Sequence, residues 1–188
     1  TVAAWVKYSE APDDYTSRVV AKGYDNGDSE NYGIQVTSSD EASFFIRDSN
    51  HVNFGIDSDE TLPNDEWVHI AGSYNGSDVK VYVNGDLAGT EDATSGTGSL
   101  LQDPNALAIG DAVDVERAFP GAVDDARVYG YALTDAEVAY IGTEGTGVVP
   151  LTSIANIYDS EPVGQKAVNF RDYALLMNSW LEEILWPE

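Results

Sequence analysis

Cysteine is absent from the 188 residues, so no disulfide framework and no thiol chemistry enters the account. Basic side chains are scarce: nine Lys and Arg stand against 33 Asp and Glu, for a net charge of −24. A surface of that sign repels phosphate backbones and anionic lipid headgroups, which excludes nucleic acid as a partner and favours bound cations. No apolar run approaches the ~20 residues of a membrane-spanning helix, so no membrane insertion is expected. Histidine occurs only at His51 and His69, and both read as structural or surface residues rather than general bases. The chain opens at Thr1 inside a strand-like pattern, without an initiator Met, so a signal peptide is expected to be already gone.

What the chain does have is alternation. The stretch from Glu66 to Gly85 reads EWVHIAGSYNGSDVKVYVNG. Trp67–Tyr74 is expected as one strand and Asp78–Asn84 as the next, with Val79, Val81 and Val83 on one face of the second. Asn75-Gly76-Ser77 and Asn84-Gly85 supply residues that tolerate the positive φ of tight turns. A strand, a turn, an alternating strand and another turn make an antiparallel meander and set the class as all-β. Further short strands are expected at Thr1–Tyr8, Arg18–Lys22, Tyr32–Thr37, Ala42–Arg47, His51–Ile56, Leu87–Glu91, Ala106–Ile109 and Gly121–Tyr129, the regular spacing of a sandwich. Between them, Asp25–Asn31 and Asp57–Glu60 read as acidic loops, and Asp92–Asn105 as a long surface loop. One short helix should start at Thr134, with Glu137 completing a capping box and Leu133 stapling onto Val138. Gly142 should end it as a left-handed C-cap.

The remainder behaves differently. Residues 143–155 read as a Gly/Thr/Val/Pro linker, and residues 156–188 as a helical segment in which Phe170, Tyr173, Met177, Trp180 and Ile184 step by three and four, broadened by Leu181. Burying five such side chains is worth on the order of 10 kcal/mol. The stripe should therefore dock, either on its own sandwich or on a neighbouring molecule.

The meander W-V-H-I-A-G-S-Y-N-G…V-K-V-Y-V-N-G, the strand Ala4-Trp5-Val6-Lys7 and the run Phe119–Tyr129 with its V-D-D motif, taken in that spacing, resemble the laminin-G-like, concanavalin-A-like jelly-roll family over residues 1–142. The resemblance implies an antiparallel β-sandwich, a fold that carries lectins, glycosidases and adhesion modules alike. It also implies structural calcium at the sandwich rim, with Asp124 as a ligand. Glycosidases of this fold place closely spaced carboxylates on one strand, and no E-x-D-x-x-E pattern occurs here. Relatives carry several tens of residues before the A-W-V-K strand, so a truncation is expected, or a gap filled by a segment such as Val148–Leu151. Val168–Leu181 resembles the helix-bearing half of a dockerin calcium loop. Val163 and Lys166 depart from that pattern, and Asn169 as a helix cap accounts for the same residues without metal.

Hard cations want several oxygen ligands gathered from loops, and Asp25, Asn26, Asp28, Asp57, Asp124 and Asp125 are the candidate Ca²⁺ ligands. Each also has a plainer reading as an Asp or Asn bonding backbone amides. Sugar stacking would fall to Tyr32, Phe45, Trp67 or Tyr82, each equally explicable as packing. Asn75-Gly76-Ser77 satisfies the N-glycosylation pattern, though its turn role also explains it. The resulting expectation is a non-enzymatic, extracellular or cell-surface adhesion and assembly subunit, stabilised by calcium. It would associate with copies of itself, or with a surface or secreted protein, through a strand edge and the Phe170–Ile184 stripe, building polymers. The alternative is a carbohydrate-binding module of a larger secreted enzyme, with glycans as partners.

Overall fold

The computed structural model describes residues 1–10, 16–23, 30–95, 99–102, 104–112 and 117–143. Residues 144–155 of the linker and the 156–188 segment, with Phe170, Tyr173, Met177, Trp180, Leu181 and Ile184, lie outside the described residues, as do Asp25, Asn26 and Asp28.

Among the described residues, ten strands and one helix follow in order: β1 (Val2–Tyr8), β2 (Ser17–Lys22), β3 (Tyr32–Val36), β4 (Glu41–Arg47), β5 (Asn53–Thr61), β6 (Val68–Tyr74), β7 (Asp78–Val83), β8 (Asp86–Asp92), β9 (Leu107–Ile109), β10 (Gly121–Val128) and α1 (Asp135–Gly142). They form two five-stranded antiparallel sheets, ordered β10-β1-β6-β7-β8 and β5-β4-β3-β2-β9. The expected β-sandwich is therefore the fold.

Period-2 alternation builds the core between the sheets. Val2, Ala4 and Val6 of β1, Val68 and Ile70 of β6, and Val79 and Val81 of β7 face Ile34, Val36, Phe44 and Ile46 of the second sheet, all buried. The two layers close tightly where a Cβ on Gly72 would stand 2.0 Å from Cγ of Phe44, so the ring occupies the space a side chain would need. Asn84 and Gly85, at φ 49° and 88°, form the two-residue turn between β7 and β8. Positive φ at both central positions is the type I′ geometry whose twist suits a hairpin.

The outer face of the first sheet is partly covered by α1. Ala3, Ala71 and Tyr82 on that face pack against Leu133 and Val138. Thr134 and Glu137 form the expected capping box, and Leu133 and Val138 are both buried beneath it. Asp135 in the first turn accepts from Lys80 Nζ and from the Tyr82 hydroxyl, each at 2.8 Å, which pins the helix across β7. The Lys80 ammonium and the Tyr82 hydroxyl hold the Asp135 carboxyl below its ordinary range.

Three expectations are corrected. Asp57-Ser58-Asp59-Glu60 is not a loop but part of β5. Acidic composition hid it: Asp57 and Asp59 face solvent, while Ser58 turns inward, accepting from Ala42 N at 3.0 Å and donating to Glu60 O at 2.7 Å. Gly142 is not a left-handed cap. It is the last helical residue, required because a Cβ there would stand 2.5 Å from Gly85 N; Thr143, at φ −117°, takes the C-cap. Finally, the 92–105 region is tied down in part, with β8 running to Asp92 and Leu100 bridging Asp48.

Candidate functional site

β10 pairs with β1 as Val2↔Val128 and Ala3↔Arg127, then slips to Trp5↔Asp124. Two residues of β10, Asp125 and Ala126, thus stand against Ala4. On a regular strand, side chains three apart point to opposite faces. The inserted residue cancels that, placing Asp124 and Arg127 together on the outer face, opposite outward-facing Trp5 and Ala3. Asp125 takes the bulge itself, at φ 46°, a left-handed conformation uncommon outside Gly, Asn and Asp.

Beside this bulge lies a concavity of about 530 Å³, lined by Trp5, Trp67, Asp124, Asp125, Arg127, Tyr140 and Ile141. Trp67, just before β6, is 46% exposed, and Tyr140, on the solvent side of α1, is 49% exposed. Trp5 stands edge-on to His69, ring centroids 5.4 Å apart at 66°. His69 itself is buried, its Nδ1 unpartnered, and burial together with the neighbouring Arg127 charge pushes its pKa down to about 4. The imidazole beneath Trp5 is therefore neutral at neutral pH.

Arg127 Nε donates to Asp125 Oδ1 at 2.9 Å, and Nη2 donates to Asp125 Oδ2, a two-point ion pair. The guanidinium holds the Asp125 carboxyl below its usual range, and Asp125 raises that of Arg127 in return. Asp125 N donates to Asp124 Oδ1 at 2.7 Å. The cleft combines aromatic faces with fixed donors and acceptors, and the one cation among its described lining residues, Arg127, is matched by a carboxylate. That chemistry suits an uncharged polyhydroxylated ligand better than an ion.

The candidates divide clearly. Trp67, Asp124 and Asp125 come together here. Asp57 is exposed on β5, opposite Ser43, in the other sheet. Among the described residues no group of three or more His, Cys, Asp or Glu is arranged to hold a metal ion. Tyr82 is fully buried beneath α1 and offers no stacking face, while half-buried Tyr32 packs against the core and lines a separate concavity of about 240 Å³ with Tyr74 and Tyr131. Phe45 lies on the outer face of the second sheet, under the Arg18 guanidinium at 4.8 Å. Asn75 is exposed at the β6–β7 turn, with Oδ1 accepting from Ser77 N and Asp78 N at 2.8 Å each, so its turn role is the one its contacts express. Sequence reasoning missed Trp5, Arg127, Tyr140 and Ile141. A signal for the bulge was present in V-D-D-A-R-V, where the apolar spacing is three and then two.

The model of the concanavalin A-like lectin/glucanases superfamily matches residues 1–139. The chain belongs to this superfamily. It is 26% identical over 144 residues to the adhesion G-protein coupled receptor V1 of Danio rerio, an alignment covering 73% of the chain and 2% of that receptor. A heptameric SAP-like pentraxin from Limulus polyphemus superposes with a TM-score of 0.57 at 20% identity, over 75% of this chain and 68% of the pentraxin. The carbohydrate-binding module CBM40 of a Ruminococcus gnavus IT-sialidase, bound to α2,3-sialyllactose, gives 0.59 at 16% identity, over 75% and 80%. At these identities the likeness is one of fold. Among the described residues, no helix is long and apolar enough to cross a membrane.

Proposed function

We propose that this superfamily member is a non-catalytic, extracellular glycan-binding module that takes an uncharged sugar chain in the cleft beside the β10 bulge. The observation that carries this reading is the pair of exposed rings, Trp67 and Tyr140, beside the fixed polar groups of Asp124, Asp125 and Arg127. Exposed aromatics are costly to leave in water and offer flat apolar faces to a pyranose, while neighbouring polar groups set orientation. Titrating neutral oligosaccharides against tryptophan fluorescence tests it. Trp67→Ala should weaken binding by roughly thirtyfold, as expected for an aromatic anchor worth about 2 kcal/mol, with the melt nearly unchanged because the ring is half exposed. Failure of every neutral glycan to bind, or binding indifferent to Trp67→Ala, would sink the proposal.

The adhesion and assembly reading keeps one observation of its own. β9 and β10 end their sheets, each pairing with one strand among the described residues, and Leu107, Ile109 and Val128 are exposed there. Such edges can template pairing with another chain. Association through the Phe170–Ile184 stripe, with a copy of this chain or another secreted protein, would complement glycan binding rather than replace it.

Calcium enters the proposal through Asp25, Asn26 and Asp28, supported by that sequence pattern and by the −24 charge. Asp125 is committed to Arg127, and Asp57 stands apart. A ligand bound only by the folded chain stabilises it by about 2.7 kcal/mol at a hundredfold excess over its dissociation constant. Melting in chelator at constant ionic strength should therefore fall by several degrees; an unchanged melt removes calcium from the account.

A further inference from the structure

The cleft beside the bulge does not end at Arg127. A second concavity of about 220 Å³ is lined by Tyr129, Leu133, Glu137, Tyr140 and Ile141, and it shares Tyr140 and Ile141 with the first. The topology explains this continuity. β10 is antiparallel to β1, β1 to β6 and β6 to β7, so β7 and β10 run in opposite directions. α1 follows β7, from Asp135 bonded to Lys80 and Tyr82 to Gly142 against Gly85, and so lies antiparallel to β10. Its last turn therefore meets Trp67 and Asp124, and its start meets Tyr129. Glu137, Tyr140 and Ile141, three and four residues apart, make the flank of the helix that looks toward β10. On the strand side, the shift at Asp125 that turns Arg127 outward also turns Tyr129 outward, two residues further on.

The two walls give a groove whose composition recurs along its length. At one end Trp67 stands exposed beside the carboxylate of Asp124, whose Oδ1 accepts from Asp125 N at 2.7 Å. At the other, Tyr129 stands beside the carboxylate of Glu137, whose Oε2 accepts from Thr134 N and Oγ1 at 2.8 Å each. Half-exposed Tyr140 lies between them. Asp124 and Tyr129 are roughly 13 Å apart, at about 3.3 Å per strand residue with the bulge discounted, which is longer than a disaccharide. Both ends reach solvent. Trp67 is 46% exposed at one, and Tyr131, edge-on to Tyr129 at 6.1 Å and 71°, is 61% exposed at the other.

We infer that the groove takes the interior of a linear neutral polysaccharide, with about three sugar residues lying along β10, rather than a single terminal sugar. This rests on the glycan cleft proposed above and extends it. A ligand with a repeating unit suits a site in which an aromatic face and a fixed acceptor recur along one axis, since each pair can hold one unit in register. A groove open at both ends has no wall against a chain terminus, so it selects length and not the end group. Residues 144–188, which continue from the end of α1, lie outside the described residues, and their Phe170–Ile184 stripe is the competing occupant.

The full chain is titrated by calorimetry with cello-, xylo- and manno-oligosaccharides of two to six residues, and with the borohydride-reduced hexasaccharides. In a series that binds, affinity should rise about tenfold from disaccharide to tetrasaccharide, the worth of a second aromatic contact, and then level off. Opening the terminal ring by reduction should change hexasaccharide affinity by less than about twofold. Tyr129→Leu, which keeps an apolar side chain against Leu133 and Val138 but loses the flat face, should remove most of the gain with length. Trp67→Ala should weaken every length. Affinity already at its plateau with the disaccharide, or a hexasaccharide that needs its terminal ring intact, would overturn the groove while leaving a sugar site at Trp67. A gain with length that is indifferent to Tyr129→Leu would overturn it equally, and no binding at any length would remove both readings.

Discussion

Glu30→Leu is expected to lower the melting temperature by about 6–20 °C. The Arg18 and Glu30 side chains are 7% and 9% exposed, and their two parallel contacts hold at 2.8 Å. Arg18 is also the hub of its sheet face: it lies over Phe45, donates to Thr16 and to Gln35 Oε1, and Gln35 passes the chain on to Ser43 Oγ at 3.1 Å. Removing the carboxylate takes a two-point counter-charge from a guanidinium in low dielectric, a loss of about 3–5 kcal/mol. For a chain of this size each kcal/mol moves the midpoint by about 2–4 °C. The asymmetry of buried pairs gives a sharper control. Arg18→Met combined with Glu30→Leu removes both charges and should recover most of the loss, because desolvating the pair already offsets much of its attraction. Thermal melts of the single and double variants check both halves. A single variant that melts with the parent, or a double variant no better than the single, would show that the pair is not what holds this face.

The same network illustrates where sequence reading stops. The alternation of Val79, Val81 and Val83, the Asn84-Gly85 turn and the Thr134–Glu137 capping box are local patterns, and each is found as expected. Trp67 and Tyr82 both lie on the outward parity of the first sheet, yet only Trp67 remains exposed, because α1 crosses over Tyr82 and sequence does not say where a helix lands. The cleft needed one more non-local fact, the bulge at Asp125. It moves Arg127 to the face that Asp124 already occupied, and a strict period of two would have separated them. Asp57 to Glu60 misled because acidic residues favour loops in isolation, whereas here they form the solvent face of a strand closed by Ser58. The ligand candidates Asp25, Asn26 and Asp28 and the Phe170–Ile184 stripe lie outside the described residues.

His69 should make the fold acid-sensitive over a defined window. Burial is the main cause of its depressed pKa, the Arg127 charge adds to it, and Asp125 opposes both. Its ring is enclosed by Trp5, and its backbone is tied on both sides to Asn84, whose Oδ1 accepts from His69 N at 3.0 Å and whose N donates to His69 O at 2.7 Å. An unfolded histidine takes up its proton near pH 6.5, whereas the folded one resists until about pH 4. The unfolded state therefore binds more protons in between, so the stabilisation is fully present above pH 6.5, falls as pH drops, and levels off below pH 4. The span corresponds to about 3 kcal/mol, or roughly 6–12 °C in the melt. The carboxylates held low by partners, Asp125 beside Arg127 and Asp135 beside Lys80, lose their contributions at still lower pH. Protonation of the many surface acids relieves self-repulsion in the opposite sense, so the informative quantity is a difference between variants. His69→Phe keeps a flat ring against Trp5, removes the unpartnered Nδ1 and cannot titrate. Between pH 6.5 and 4 the parent should lose about 3 kcal/mol more than this variant, measured by denaturant unfolding at each pH. Parallel stability curves for the two proteins would show that the imidazole beneath the aromatic cleft does not set the acid limit of the fold.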